Sequence, residues 1–308
     1  MRSIARHAGV TSLTWLLALT AAAAHAACPV STSEVREVGG AELCVHFDAD
    51  APRARRDKLI GWIDRSAQIV ARYYGRFPVP LVALYIRDMN GAGIGGGRTN
   101  NEPLRIEVRV GTDTTTEALS EDWVLVHEMI HLALPELGSR HDWLAEGLAT
   151  YVEGVARAQA GNRSVADVWA EARRSMPAGL PKPGEGGMDE THSWGRTYWG
   201  GALFCLKADI ATRRETDNRL GLKEALRAID SKTGGYAGER SIEEVLAIGD
   251  AATGTKVLMR AYAAMKTTPK MTDLDELWHE LGVPQDPLRQ PFDDRAPLAA
   301  VRIAITAP

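Results

Sequence analysis

The chain has 308 residues, 45% of them hydrophobic and 25% charged, with 36 Lys and Arg against 40 Asp and Glu and a formal net charge of −4. That balance excludes an intrinsically disordered chain and supports a sizeable buried core. No basic patch is interleaved with aromatic residues, so nucleic acid is excluded as the expected partner.

Arg2 and Arg6 precede an apolar run over residues 10–24, which leads into the small-residue stretch Ala24-His25-Ala26-Ala27. This is the layout of a signal peptide cleaved after Ala26 or Ala27, and it predicts a periplasmic or secreted protein. The run is too short for a membrane span and no later segment reaches about 18 consecutive apolar residues, so no transmembrane segment is expected. Lipidation of Cys28 at a new N-terminus is a lesser alternative, because the usual leucine is missing from the preceding residues. In an oxidising compartment Cys28 and Cys44 are close enough in sequence to pair, which would pin the mature N-terminus to the first strand. Cys205, inside the apolar run 202–206, reads as a small buried thiol.

A strand is expected around residues 43–47, then an amphipathic helix over 52–74 with Leu59, Trp62, Ile63, Ala67, Ile69 and Val70 on its apolar side. Residues 79–86 (VPLVALYI) read as a buried strand and 104–110 (LRIEVRV), alternating apolar and charged, as a half-exposed one. Between them GAGIGGG, residues 91–97, lacks the Gly-Lys-Ser/Thr ending of a phosphate loop and reads as a hairpin tip. From residue 116 the pattern turns helical, over 117–134, 143–159, 164–175, 195–214, 220–229, 242–248, 256–265 and 274–281. A Pro/Gly-rich loop over 176–191 interrupts these helices, and an irregular stretch over 284–297 leads to a final strand over 300–305. Strands first and helices afterwards predict an α+β domain with a helical lobe.

One stretch within the helix expected over 117–134 carries chemistry. In VHEMIHLA the two histidines, His127 and His131, stand at i and i+4, so their rings share one helix face and can converge on one ion, with Glu128 beside it. A catalytic zinc needs three protein ligands, so a third must come from elsewhere. Glu146 sits in an otherwise apolar segment, WLAEGLATY, where a lone carboxylate is costly to bury unless paired or ligated. His141 and Asp142, on the turn before it, are alternative ligands, and Asp142 is placed to cap the new helix. Thr150 and Glu153 follow on the face of Glu146 and could hydrogen-bond the ligating imidazoles.

His127-Glu128-Met129-Ile130-His131 followed by Trp143-Leu144-Ala145-Glu146-Gly147 resembles the gluzincin zinc metallopeptidases, whose third ligand is a glutamate in a W-L-x-E-G segment. Downstream, Thr197-Tyr198-Trp199-Gly200-Gly201 is similar to the Y-x-K-G helix start of the aminopeptidase N and glycyl aminopeptidase families. The resemblance covers residues 120–285. It implies a thermolysin-like zincin domain: a small mixed sheet with the active-site helix, followed by a mostly helical lobe. The expected organisation is a signal peptide over 1–27, a catalytic domain over 28–285 (strand-rich over 28–115, helical over 116–285) and a C-terminal tail over 286–308.

The function this implies is an exported peptidase with one Zn²⁺ per chain on His127, His131 and Glu146, cleaving a peptide or protein substrate. A zinc-activated water would attack, with Glu128 as general base and Tyr198 stabilising the oxyanion. His192, at the end of the flexible loop, reads first as a solvated loop histidine and otherwise as a residue that assists catalysis or lines the cleft, while Trp194 and Trp199 read as packing residues. The alternative is an inactive zincin-fold binding or scaffold protein of the cell envelope. Gly200 stands where the family has lysine, and the Gly-x-Met-Glu-Asn motif that binds a free amino terminus is absent. Glu102 and Glu107 are the candidates for that task.

Overall fold

The computed structural model describes residues 28–29, 31–48, 51–236 and 238–308, so the expected signal peptide lies outside the described residues. Strands β1 (Glu34–Val38), β2 (Ala41–Phe47), β3 (Leu81–Met89), β4 (Ile94–Asn101) and β5 (Leu104–Gly111) form one mixed sheet in the order β1-β2-β3-β5-β4. The β2–β3 and β3–β5 pairs are parallel, and the β1–β2 and β4–β5 pairs are antiparallel. Helix α1 (Arg53–Tyr74) makes the crossover between the parallel strands β2 and β3, as parallel pairing requires. All six residues expected on its apolar side are buried, and it ends at Gly75 in the left-handed region. Alternate residues of the central strands, Leu43, Val45, Val82, Leu84, Ile86, Ile106 and Val108, are also buried, as the two-residue period of a strand demands. Cys28 and Cys44 form a disulfide, Cα atoms 5.4 Å apart, which ties residue 28 to β2.

The rest is helical: α2 (Thr116–Glu121), α3 (Val124–His131), α4 (Asp142–Gln159), α5 (Val165–Ser175), α6 (Gly201–Glu215), α7 (Leu222–Thr233), α8 (Ile242–Thr253), α9 (Val257–Met265), α10 (Leu274–Leu281) and α11 (Ala299–Thr306). Among the described residues no helix is long and apolar enough to cross a membrane.

Four expectations need correcting. The stretch read as a hairpin tip contributes Gly95, Gly96 and Gly97 to β4, the edge strand, and the turn lies at Glu102-Pro103 instead. The glycines serve close approach: a Cβ on Gly97 would fall 2.5 Å from Cγ of Glu128 in α3. The single helix expected over 117–134 is two, because the Asp122 carboxylate accepts from the N–H groups of Val124 and Leu125 and starts α3 afresh. Asp142 does not cap α4; it occupies the first helical position, after a short 3₁₀ turn, Ser139–His141. The final strand is helix α11, in which Val301, Arg302, Ile305 and Thr306 are buried while Ile303 is 49% exposed, a period near four rather than two. It packs on α4 and α6, with Gln159 donating to the Ile305 carbonyl and Arg302 to that of Leu281.

Candidate metal centre

Helix α3 is short and almost entirely buried, wedged between α1, α4 and β4. That burial, with Asp122 holding its first turn, fixes the direction of His127 and His131. Helix α4 brings Glu146 opposite them. Nε2 of His127 lies 3.1 Å from Oε2 of Glu146 and Nε2 of His131 lies 3.6 Å from the same oxygen. One ligand atom from each residue falls within 4.8 Å of the others, and this is the one such group of His, Cys, Asp and Glu among the described residues. Two imidazole nitrogens and a carboxylate oxygen suit zinc, with a further position left for water or substrate.

The electrostatics agree with a cation-binding arrangement. Burial acts to raise the Glu146 carboxyl, but the two imidazoles more than offset it and hold it well below the usual carboxylate range. Burial acts to lower His131, yet the bond to Glu146 and the negative charges of Glu146 and Glu128 leave it raised. Both shifts record carboxylate charge gathered around the two rings, which attracts a cation; a bound divalent ion would take the place of the proton that this arrangement favours on His131.

Glu128 turns from α3 toward β4, where Oγ1 of Thr99 lies 2.7 Å from its Oε2 and 2.9 Å from its backbone carbonyl oxygen. Gly97 lies against the Glu128 side chain and Thr99 orients its carboxylate. Reading 91–97 as a loop missed both, because IGGGRTNN is poor in strand-forming residues; the one local signal was the Glu102-Pro103 turn placed directly before the alternating strand that follows.

Tyr198 lies in a π-helical turn, Arg196–Gly200, that opens α6, and turns of this kind recur at functional sites. Its ring stacks 6.3 Å from that of His127. Burial first, then the charge of Glu146, pushes its hydroxyl up to about 12, so it stays a proton donor through the neutral range. Backbone contact between helices brings it there: a Cβ on Gly147, next to Glu146, would fall 2.2 Å from Cα of Gly201. Gly147 and Gly201 are therefore packing requirements of this site.

Other expected site residues lie elsewhere. Thr150 donates to the Glu146 carbonyl of its own helix, and Glu153 pairs with Arg157 at 2.8 Å, so neither bonds an imidazole. His141 faces the Leu137 carbonyl, Asp189 and Tyr262, away from the ligand set. Asp142 is exposed at the cavity edge and His192 is exposed outside it. Glu107 turns to Arg87 on the outer sheet face, and neither it nor Glu102 lines the cavity. Trp199 packs against the core as expected, but Trp194 is 65% exposed. The 176–191 loop is anchored by Asp189, which accepts from Trp143 and Tyr262.

A cavity of about 770 Å³ opens over His127, Glu128, His131, Glu146 and Tyr198, with Gly97 and Thr99 of β4 along one side. No protein-family model and no curated protein matches the sequence. Among solved structures, an aminopeptidase N family protein from Idiomarina loihiensis is 11% identical, with a TM-score of 0.59 over 81% of this chain and 49% of its own. The chain shares the fold of this aminopeptidase N family protein. An M1 zinc metallopeptidase from Deinococcus radiodurans is 15% identical, with a TM-score of 0.48 over 78% of this chain and 52% of its own. The chain spans about half the length of the structures it matches.

Proposed function

We propose that the chain is an exported zinc-dependent metallopeptidase that hydrolyses peptide bonds. The observation that carries this reading is the convergence of His127, His131 and Glu146 within 4.8 Å of one another, with the Glu128 carboxylate held beside them by Thr99. Zinc held by those three residues would supply a Lewis acid that polarises a carbonyl and makes a water more acidic. Glu128, 8% exposed and hydrogen-bonded at one oxygen, accepts a proton from the attacking water and delivers it to the leaving amine. The Tyr198 hydroxyl, still protonated at neutral pH, donates a hydrogen bond to the oxygen that gains charge. Export is supported by residues 1–27 of the sequence and by the Cys28–Cys44 disulfide, which suits an oxidising compartment. The domain is proposed to run from residue 28 through α11 and not to stop at 285, because Leu298, Val301 and Ile305 of the stretch expected as a tail are packed into the core against α4 and α6.

The test begins with elemental analysis of protein purified without chelator, in which zinc is expected. Glu128→Gln should retain that zinc and abolish hydrolysis of any peptide the wild type cleaves. Hydrolysis surviving in Glu128→Gln overturns the role of the base. Zinc without turnover in the wild type returns the scaffold alternative, and absence of zinc makes the histidine pair fortuitous.

A further inference from the structure

A second cavity, of about 640 Å³, adjoins the first, and the two share Trp123, His127 and Tyr198. Its wall beside the metal centre is a run of aromatic rings. Trp194 stacks on Tyr198 with centroids 5.8 Å apart at 27°, Tyr198 stacks on His127, and Trp123 meets His127 edge-on at 5.5 Å. Trp123 and Trp194 are 52% and 65% exposed, and both border this one cavity. Large aromatic surface left in water at neighbouring positions marks a place where something else covers it.

The floor is charged but internally neutralised. Arg157 pairs with Glu153 at 2.8 Å and donates to Asn162, while Arg163 pairs with Glu171 at 2.6 Å and lies 3.9 Å from Glu153. Neither arginine is left free to capture a carboxylate, and both the buried Glu153 and the half-buried Glu171 are already paired. At the exposed rim Asp167, whose carboxylate accepts from the Ser164 hydroxyl at the start of α5, and Glu121 keep their charges, both in water and away from the neutral floor beside the aromatic wall. A cavity with aromatic walls and a neutral floor suits a large uncharged group.

We propose that this second cavity receives an aromatic or large apolar side chain of the substrate, stacked on Trp194 and Trp123, and that these two tryptophans set which residue is accepted next to the scissile bond. Because the cavity meets the metal centre at His127 and Tyr198, the accepted residue adjoins the bond that is cut. The inference rests on the peptidase reading for its substrate class.

The experiment uses zinc-loaded Glu128→Gln protein, which binds without turnover, titrated by calorimetry with alanine hexapeptides in which one phenylalanine is moved through each position. The wild type is assayed on the same peptides by mass spectrometry. One phenylalanine position is expected to tighten binding about two- to twelve-fold, the range of a stacked aromatic pair. That position should flank the bond the wild type cuts. Adding Trp194→Ala should remove the preference while leaving the all-alanine affinity unchanged, and Trp194→Phe should restore most of it; Trp194 is exposed enough for both variants to fold. Equal binding at every position, a preference that survives Trp194→Ala, or tighter binding of lysine or aspartate at the favoured position overturns the inference. Selective binding without cleavage by the wild type overturns the peptidase reading alone. Cleavage without selectivity overturns this inference alone, and failure of every peptide to bind counts against both.

Discussion

Replacing Gly97 with alanine is expected to disable the site while leaving the three proposed metal ligands in place. Gly97 does not occupy the left-handed region, so alanine meets no backbone strain there, and in the strand alone the change should stabilise by about 0.5 kcal/mol. The obstacle is Glu128, whose Cγ would lie 2.5 Å from the new methyl carbon, with Cδ and Oε1 at 3.0 Å. An ordinary carbon–carbon contact is about 3.5 to 4 Å, so the side chain has to retreat by about 1 Å. Glu128 is 8% exposed and packed on its own helix, and the retreat breaks its 2.7 Å bond from Thr99. A reacting group misplaced by about 1 Å costs on the order of 100-fold in rate, equivalent to about 2.7 kcal/mol of barrier. The assay is kcat/KM on a peptide cleaved by the wild type, with zinc content and thermal unfolding measured on the same preparation. Wild-type zinc content, an unfolding temperature within a few degrees of wild type and a roughly 100-fold lower kcat/KM are expected. Wild-type kcat/KM in Gly97→Ala refutes the reasoning, and so does loss of zinc, because the damage would then have reached the ligands.

Tyr198→Phe removes only the hydroxyl and should lower kcat by about 100- to 1,000-fold, with KM and zinc content near wild type, as loss of an oxyanion donor does; an unchanged kcat would reduce Tyr198 to packing. Asp230 offers a stability test away from the site. Its carboxylate is buried against Arg76 at 2.7 Å, and burial, only partly offset by that arginine, raises its pKa to about 6. The folded chain therefore takes up this proton more readily than the unfolded chain, whose aspartate titrates near 3.9. The contribution is fully present below about pH 4 and is lost as pH rises through about 6. Denaturant unfolding of wild type and Asp230→Asn across pH 4 to 7.5 should show the wild type losing up to about 3 kcal/mol relative to the variant over that window. Parallel pH profiles would overturn the assignment.

The candidate ligands were legible because their spacing is local. His127 and His131 one turn apart, and Glu146 in an apolar segment, are consequences of the 3.6-residue period and of the cost of an unpaired carboxylate, both written in a few adjacent residues. The buried face of α1 and the alternation of β5 were legible for the same reason. Thr150 and Glu153 show where that logic stops. They share a helix face with Glu146, but the partner of Glu153 is Arg157, and the hydroxyl of Thr150 turns back to its own helix.

Local sequence by itself determined which residues could be ligands and base, since helical period and side-chain chemistry need no distant partner. Tertiary structure decided what surrounds them. A glycine run became an edge strand with Glu128 packed against it, Gly147 and Gly201 set the place of Tyr198 because two helices touch there backbone to backbone, and two exposed tryptophans came to border one cavity. Those outcomes depend on contacts between segments about 30 to 70 residues apart, and such contacts are set by burial and close packing of the whole core rather than by any local period.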